Sequence, residues 1–488
     1  MRGRVPTAGR CAGTELRESA TVRDGRKSYR FLDVLRNRNF RLLWMGEGIS
    51  LLGDQFYLIA LPWLVLKLTG SPLAIGTVLA LAAIPRALFM LVGGALTDRF
   101  SPRALMLCSN LGRFTLVASL AALTVTGQVQ LWMLYTFALL FGLANAFFFP
   151  AQSAIIPKLL GTERLQTGNA IIQGTAQLSV FLGPVLAGTL IALLDGGGSE
   201  GAIPDTLGIG TAFAIDALTF LASAGSLALM RLSTRTASSQ AGRGDETVWG
   251  SILAGLRLVW EDKALRYYFV LIAAVNLLMT GPISVGVPVL ADTRFDSGAV
   301  AFGTILSGFG GGSLLGIIVA GVSSRPSNRR FPMLMLGLTA TMGVALGLLG
   351  ILPSVATSTF AAFIMGCAQG YVVIQFITWL QLRTPPWMLG RMMSVLMFAV
   401  VGMAPLSSAI AGALIQWSAL FVMVGAGLLM VLVVAIAAVS PSVWRLGSED
   451  AASEAHPATD ARRLVEHPAA VERTPVIERT ASSEALAA

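Results

Sequence analysis

The sequence predicts an all-α integral membrane protein, with twelve transmembrane helices arranged as two six-helix, pseudo-repeated bundles. Three observations carry this. Of the 488 residues, 55% are hydrophobic and only 12% charged, against roughly 25% charged in a soluble domain. Apolar runs of about 20 residues, the length that crosses about 30 Å of hydrocarbon as a helix, recur a dozen times. One long polar connection then divides six runs from six. A porin-like barrel would instead show segments of about ten residues with alternating polarity, and no such pattern is present.

Taken in order, apolar runs and their breakers start spans near residues 42, 73, 104, 130, 165, 207, 267, 299, 331, 355, 391 and 419. Span 1 holds Glu47 and Asp54, span 2 Arg86, span 3 Arg113 and span 6 Asp216. Span 4 ends in "AFFFPAQSAIIPKL", span 5 opens on "TGNA" and contains "SVFLGPVLAG", and span 11 opens on "GRMMS". The resulting units are an N-terminal tail (1–41), a first bundle (42–230), a linker (231–266), a second bundle (267–440) and a C-terminal tail (441–488).

Charge placement gives the orientation. Connections after the odd-numbered spans carry only Lys67 and Arg294, and the one after span 5 holds Asp195, Glu200 and Asp205. Even connections carry Arg99 and Arg103, Lys158 and Arg164, Arg231 through Arg266, Arg325, Arg329 and Arg330, and Arg383. Lys and Arg favour the cytoplasmic side, so both termini and every even connection are expected there, in the inner cell membrane. The formal charge of +9 follows the same placement: eleven of 35 Lys and Arg lie in residues 1–41 and most others in links and tails. That pattern orients a membrane protein; it does not build the basic face that nucleic acid needs.

The Arg-rich N-terminus lacks the apolar stretch of a cleavable signal peptide, so it is expected to stay as a cytoplasmic tail. Residues 441–488 mix Ala, Glu, Arg, Ser and Pro without apolar period and read as disordered. In the linker, Val248, Trp249, Ile252, Leu253, Leu256, Val259 and Trp260 recur at helical spacing, with Arg257 and Glu261 on other faces. This predicts a helix lying on the membrane surface. Cys11, Cys108 and Cys367 are too scattered for a disulfide framework or a metal cluster.

The link between spans 2 and 3, "GGALTDRFSPR", has an echo between spans 8 and 9. Aligning "TDRFSPRA" with "SSRPSNRR" sets Arg99 on Arg325 and Arg103 on Arg329, while Asp98 meets Ser324. A motif repeated at the same place in each half supports internal duplication.

Gly94-x-Leu96-x-Asp98-Arg99-x-x-x-Arg103, so placed in a six-plus-six chain, resembles the signature loop of the major facilitator superfamily. "LRNRNFRLLWMGEGISLLGDQ", "AFFFPAQSAIIPKL", "TGNA" and "GRMMS" make it similar to the macrolide-efflux and enterobactin-exporter branch, over about residues 30–440. The resemblance implies the major facilitator fold. It also implies that Asp98 docks at the start of span 11, at Gly390 and Arg391 in "LGRMMS", and helps to hold the halves together when the cavity faces outward. A helix N-terminus, with its free N–H groups, suits a carboxylate. Gly183, Pro184 and Gly188 resemble the antiporter motif of span 5, whose other reading is a proline kink of the kind membrane helices tolerate. Two positions depart from the family pattern: Ala138 stands where proton-coupled members often carry Arg, and Ser324 replaces the second acid.

An ionisable group inside a membrane costs at least a few kcal/mol, so it needs a partner, a wet cavity or a function. Asp54 and Glu47 stand seven residues apart, nearly two turns, and so share a face of span 1. In the resembled fold that span lines the central cavity, which makes Asp54 the leading candidate to bind a proton or meet a cationic substrate. Its alternative role is to pair with Arg113 and fix packing. Glu47 and Asp216 are further candidates for coupling or substrate contact, and Arg86 and Arg113 are partners for these acids or for lipid headgroups. Asn276 and Gln375 could line the cavity or hold two helices together.

Phe147, Phe148 and Phe149 point different ways on a helix, which favours packing and lipid contact. Gly308, Gly310, Gly311, Gly312 and Gly316 lack the Gly-Lys-Ser/Thr of a phosphate loop and predict close helix packing. No HExxH, GxSxG or Walker motif occurs, and His456 and His467 both lie in the tail. The expectation is therefore no enzyme, no cofactor and no metal, but a monomeric secondary transporter. It would export amphipathic drugs or siderophore-like molecules by proton antiport and alternating access, with the lipid bilayer, protons and a small molecule as its partners. An importer, a lipid flippase or a transport-inactive sensor are the alternative readings.

Overall fold

The computed structural model describes residues 31–194, 206–231, 260, 263–323, 326, 330–384 and 389–440. Among these, the side chains of 31–32, 90–99, 161–163, 263–264, 383, 389–391 and 394 lie outside the description. Several expectations therefore fall outside it: the side chains of Asp98, Arg99, Gly390 and Arg391, the echo at Arg325 and Arg329, most of the linker helix, most of the N-terminal tail and all of the C-terminal tail. Gly94 sits within helical backbone.

Twelve helices are long and apolar enough to cross a membrane, and no strand occurs among the described residues. The six of the first half are Arg38–Thr69, Pro72–Phe89, Pro102–Val125, Leu131–Leu160, Arg164–Leu193 and Thr206–Ala228. The six of the second are Leu265–Arg294, Gly298–Val322, Phe331–Ile351, Val355–Leu382, Val395–Ile415 and Ala419–Val439. Local chemistry sets their ends. The Asn37 side chain caps span 1 by accepting from the Asn39 and Phe40 amides at 3.0 and 3.2 Å, and its Nδ2 donates to the Leu159 carbonyl at 2.8 Å. Gly70 then closes the span in the left-handed region at φ 60, and Pro72 opens the next.

Helical backbone runs unbroken from Leu131 to Leu193, through the link expected between spans 4 and 5. A straight helix of that length would reach about 95 Å, some three times the hydrocarbon thickness, so the stretch supplies two crossings. The two crossings meet at the link, where a Cβ on Gly168 would overlap the Leu160 side chain.

Spans 7 and 11 are discontinuous. Span 7 passes from Lys263–Gly281 through a π-helical turn, Pro282–Gly286, into Val287–Arg294. Span 11 is split into Leu389–Val401 and Ala404–Ile415. The breaks face each other: Ser407 Oγ donates to the Leu277 carbonyl at 2.5 Å and accepts from the Gly281 amide at 2.7 Å. Those two groups are the i−4 and i partners of one α-helical bond. The serine hydroxyl stands between them, as an inserted side chain or water does at a helix kink.

The halves meet along spans 2 and 11 and along spans 5 and 8. Both seams are built on glycine. A Cβ on Gly76 would lie 2.9 Å from Gly412 Cα, and one on Gly188 would lie 3.3 Å from Gly303 Cα. Span 8 follows span 2 by six places and span 11 follows span 5 by six, so the two pairs occupy equivalent places in the duplicated fold. In span 8, Gly308, Gly312 and Gly316 face Thr359, Phe363 and Cys367 of span 10, whose own Gly366 and Gly370 meet Phe309 and Ser313. Gly310 and Gly311 turn to Val180 and Phe181 of span 5. Small residues spaced by four let helices approach backbone to backbone, which is the packing expected of this glycine run.

One end of the bundle is drawn together. Lys67 Nζ meets Asp292 Oδ1 at 2.7 Å across the halves and lies 4.8 Å over the Trp63 ring. Trp63 stacks on Phe302 at 6.5 Å, and a Cβ on Gly298, itself at φ 43, would sit 3.2 Å from that indole. Arg294 donates to the Gly350 and Leu352 carbonyls at 2.6 and 3.3 Å, capping the end of span 9. Beyond the Gly76–Gly412 contact spans 2 and 11 part: the first segment of span 11 barely touches span 2, and Ile84, Arg86, Leu88 and Phe89 are exposed.

Candidate coupling site

All the charged side chains described in mid-span lie in the first half, and they gather around Arg113. Its guanidinium is 2% exposed and is held between the rings of Phe148 and Phe220, at 4.3 and 4.4 Å. Planar and delocalised, it suits such a sandwich in a way an ammonium does not. Arg113 Nη2 donates to Asn110 Oδ1, and Asn110 Nδ2 donates to Ser223 Oγ at 2.9 Å, which ties span 3 to span 6. Asn110 precedes Arg113 by three residues, so both fall on one helix face.

The acids of spans 1 and 6 converge on this cation. Arg113 Nη1 lies 4.0 Å from Asp54 Oδ1, a separation that leaves the pair loosely engaged. Asp216 and Glu47 are also within its electrostatic reach, and Arg86 reaches Asp54 from span 2. Glu47 is 5% exposed and accepts from Gln152 of span 4. Asp216 is fully enclosed, with Thr219 Oγ1 at 3.5 Å from its Oδ1. Asp54 keeps 34% of its side chain exposed. Aromatic rings wall the cluster: Tyr57 stacks on Phe141 at 4.3 Å and tilts against Phe213 at 5.8 Å.

The site thus joins Glu47, Asp54, Arg86, Arg113 and Asp216, all visible in the sequence as charges inside apolar runs. Sequence reasoning missed Asn110, Gln152 and Ser223, neutral residues marked only by their position on the faces that meet the charges. Phe148 packs on Arg113 while Phe149 is exposed, as consecutive helix positions require.

The amides lie apart from this cluster. Asn276 Nδ2 donates to the Ile272 carbonyl of its own helix at 2.9 Å, and Gln375 Nε2 to the Ala320 carbonyl of span 8 at 3.4 Å. Pro184 and Gly188 lie at the span 5 and 8 seam, whereas Gly183 faces Leu52 and Gln55 of span 1. Pro184 has no N–H to offer, and the next amide, Val185, donates to Ser307 Oγ of span 8 at 2.9 Å. Arg103 Nε and Nη2 both donate at 2.7 Å, to the Leu227 and Ala228 carbonyls, capping span 6. Among the described residues no group of His, Cys, Asp and Glu could hold a metal ion.

The family model described as Major Facilitator Superfamily matches residues 43–406. Over 370 residues the chain is 28% identical to the multidrug efflux pump Tap of Mycolicibacterium fortuitum, covering 74% of this chain and 85% of that protein. It is 23% identical to macrolide efflux protein A of Streptococcus pyogenes (73% and 84% covered). To the enterobactin exporter EntS of Escherichia coli O81 it is 25% identical (72% and 79% covered). The crystal structure of the nucleoside transporter NupG superposes with a TM-score of 0.62 at 13% identity, covering 82% of this chain and 98% of that one.

Proposed function

We propose, for a chain that belongs to the Major Facilitator Superfamily, a proton-coupled exporter of amphipathic small molecules, working by alternating access across the cytoplasmic membrane. The observation that carries the reading is the charge balance of the first half: three carboxylates, Glu47, Asp54 and Asp216, face two guanidiniums, Arg86 and Arg113. The surplus of one acid gives the cluster a place for one proton or one substrate cation, and enclosure in apolar surroundings makes the choice between them costly to leave unmade. Similarity to efflux proteins supports export, and drug-like or siderophore-like substrates fit the same relatives.

With the even connections cytoplasmic, the end closed by Lys67 and Asp292 faces outward and the parted spans 2 and 11 open inward. Residues 42–230 and 267–440 then act as the two rocking units of a monomer, with 231–266 as their cytoplasmic linker. Asp98 and Arg99, with Gly390 and Arg391, form the inner gate that engages when the cavity turns outward. The reading is tested in everted vesicles holding the full chain, with erythromycin as the probe. An imposed pH gradient should drive its uptake, and Asp54→Asn should lower the initial rate by about tenfold. Uptake that ignores the gradient in the unsubstituted protein would overturn it.

A further inference from the structure

The three acids of the cluster do not stand in equivalent places. Asp54 keeps about a third of its side chain exposed, whereas Asp216 is enclosed on every side. Among the described residues, Asp216 Oδ2 has no hydrogen-bond partner, and neither has the hydroxyl of Tyr57, a residue itself nine-tenths buried. Tyr57 is in electrostatic reach of both Asp216 and Asp54. Arg113 Nε, next to the same acids, is likewise unpaired. An enclosed carboxylate oxygen without a donor, beside an enclosed hydroxyl without a partner, is an unfavourable arrangement. A proton on the carboxylate relieves it by removing the charge and supplying a donor.

We propose that Asp216 is the carboxyl that takes up and releases the coupling proton, while Asp54 meets the cationic end of the transported molecule. This division rests on the proton-coupled reading above and gives it separate seats for ion and substrate. The proton comes from water at the open side, forms an O–H bond at the Asp216 carboxylate and leaves to water when that bond breaks. No other bond changes. With the proton in place the three acids and two guanidiniums balance. Without it the cluster carries one negative charge, which a monocation at Asp54 neutralises, so one proton exchanges for one positive charge. The charged and titratable groups facing Asp216 are Asp54 and Tyr57 from span 1 and Arg113 from span 3, with Arg86 of span 2 acting through Asp54.

Two measurements on the purified full chain test this. In an infrared pH titration the unsubstituted protein should show a titrating carboxyl band that disappears in Asp216→Asn and persists in Asp54→Asn and Glu47→Gln. In proteoliposomes with tetraphenylphosphonium as the probe, Asp216→Asn should lower gradient-driven accumulation by about tenfold while downhill counterflow persists; Asp54→Asn should weaken probe binding by about tenfold. Asp216→Ser, smaller and equally unable to titrate, serves if the amide disturbs folding. A band that survives both Asp216 substitutions, or accumulation that does, overturns the assignment even where the exporter reading stands. A band belonging to Asp216, with no gradient-driven flux in the unsubstituted protein, keeps the proton seat and overturns the exporter reading instead.

Discussion

Lys67, at the end of span 1, and Asp292, near the end of span 7, meet at 2.7 Å and join the two halves of the molecule. Both are partly exposed, so the pair is worth about 0.2–1 kcal/mol. Lys67→Gln or Asp292→Asn should therefore change the ratio of the two cavity orientations by no more than about fivefold, towards opening of the end they close. Spin-label distances between the ends of spans 1 and 7 report that ratio, and an unchanged distribution would mean that packing around Trp63 holds the end alone.

The glycine seams predict a larger effect. A Cβ on Gly188 would overlap the Ala299 carbonyl and one on Gly303 would overlap that of Pro184, so neither backbone can yield without moving a whole helix. Gly188→Leu and Gly303→Leu should each cost about 1–3 kcal/mol by overpacking. They should also lower vesicle transport, with the melting temperature of the purified protein as the companion reading. Gly174 and Gly425 have open space around their missing side chains and serve as controls expected to tolerate Ala.

Arg113 is the buried counter-charge of the cluster, so removing it leaves the enclosed Asp216 and Glu47 with no cation facing them. Arg113→Gln should destabilise the protein by about 3–5 kcal/mol. Arg113→Lys should recover part of that loss, because an ammonium keeps the charge but cannot fill the planar gap between Phe148 and Phe220. Thermal unfolding of the three proteins orders them.

Asp98 is expected to act on conformation and not on ligand choice. Asp98→Asn should shift the balance between inward-open and outward-open states while leaving the substrate spectrum intact. Cysteine accessibility along spans 2 and 11, read beside a susceptibility panel, tests both parts. An altered spectrum with unchanged accessibility would contradict the gating role.

Ser407 bridges the Gly281 amide and the Leu277 carbonyl. Ser407→Ala should cost about 1–3 kcal/mol if both backbone groups are left unpaired in apolar surroundings, and much less if the span recloses on itself. Melting temperature gives the cost, and a spin-label pair spanning Pro282 reports the bend.

Much of this architecture was legible in the sequence because membrane solvation is an unusually strict rule: the expected span starts lie within a few residues of the observed ones. Charges in mid-span were equally plain, since Glu47, Asp54, Arg86, Arg113 and Asp216 interrupt apolar runs. Their partners were not. Asn110, Gln152 and Ser223 belong to three different spans, and only tertiary packing makes them neighbours of the charges. The 4–5 link was expected as a break because Lys158 and Arg164 flank it, yet its few residues keep helical geometry through the reversal. The hydroxyl of Ser407 reads as one serine among many until Gly281 and Leu277 are seen to face it.

That hydroxyl has a thermodynamic consequence. A straight span 7 needs only the bond from Gly281 to Leu277; here both groups bond to one oxygen of span 11. Withdrawal of span 11 would leave the direct bond while the serine turns to a carbonyl of its own helix, as Ser179, Ser226 and Thr339 do. The bond count is then the same for both shapes, so the choice between them is left to side-chain packing at the seam, a quantity that a bound molecule can change.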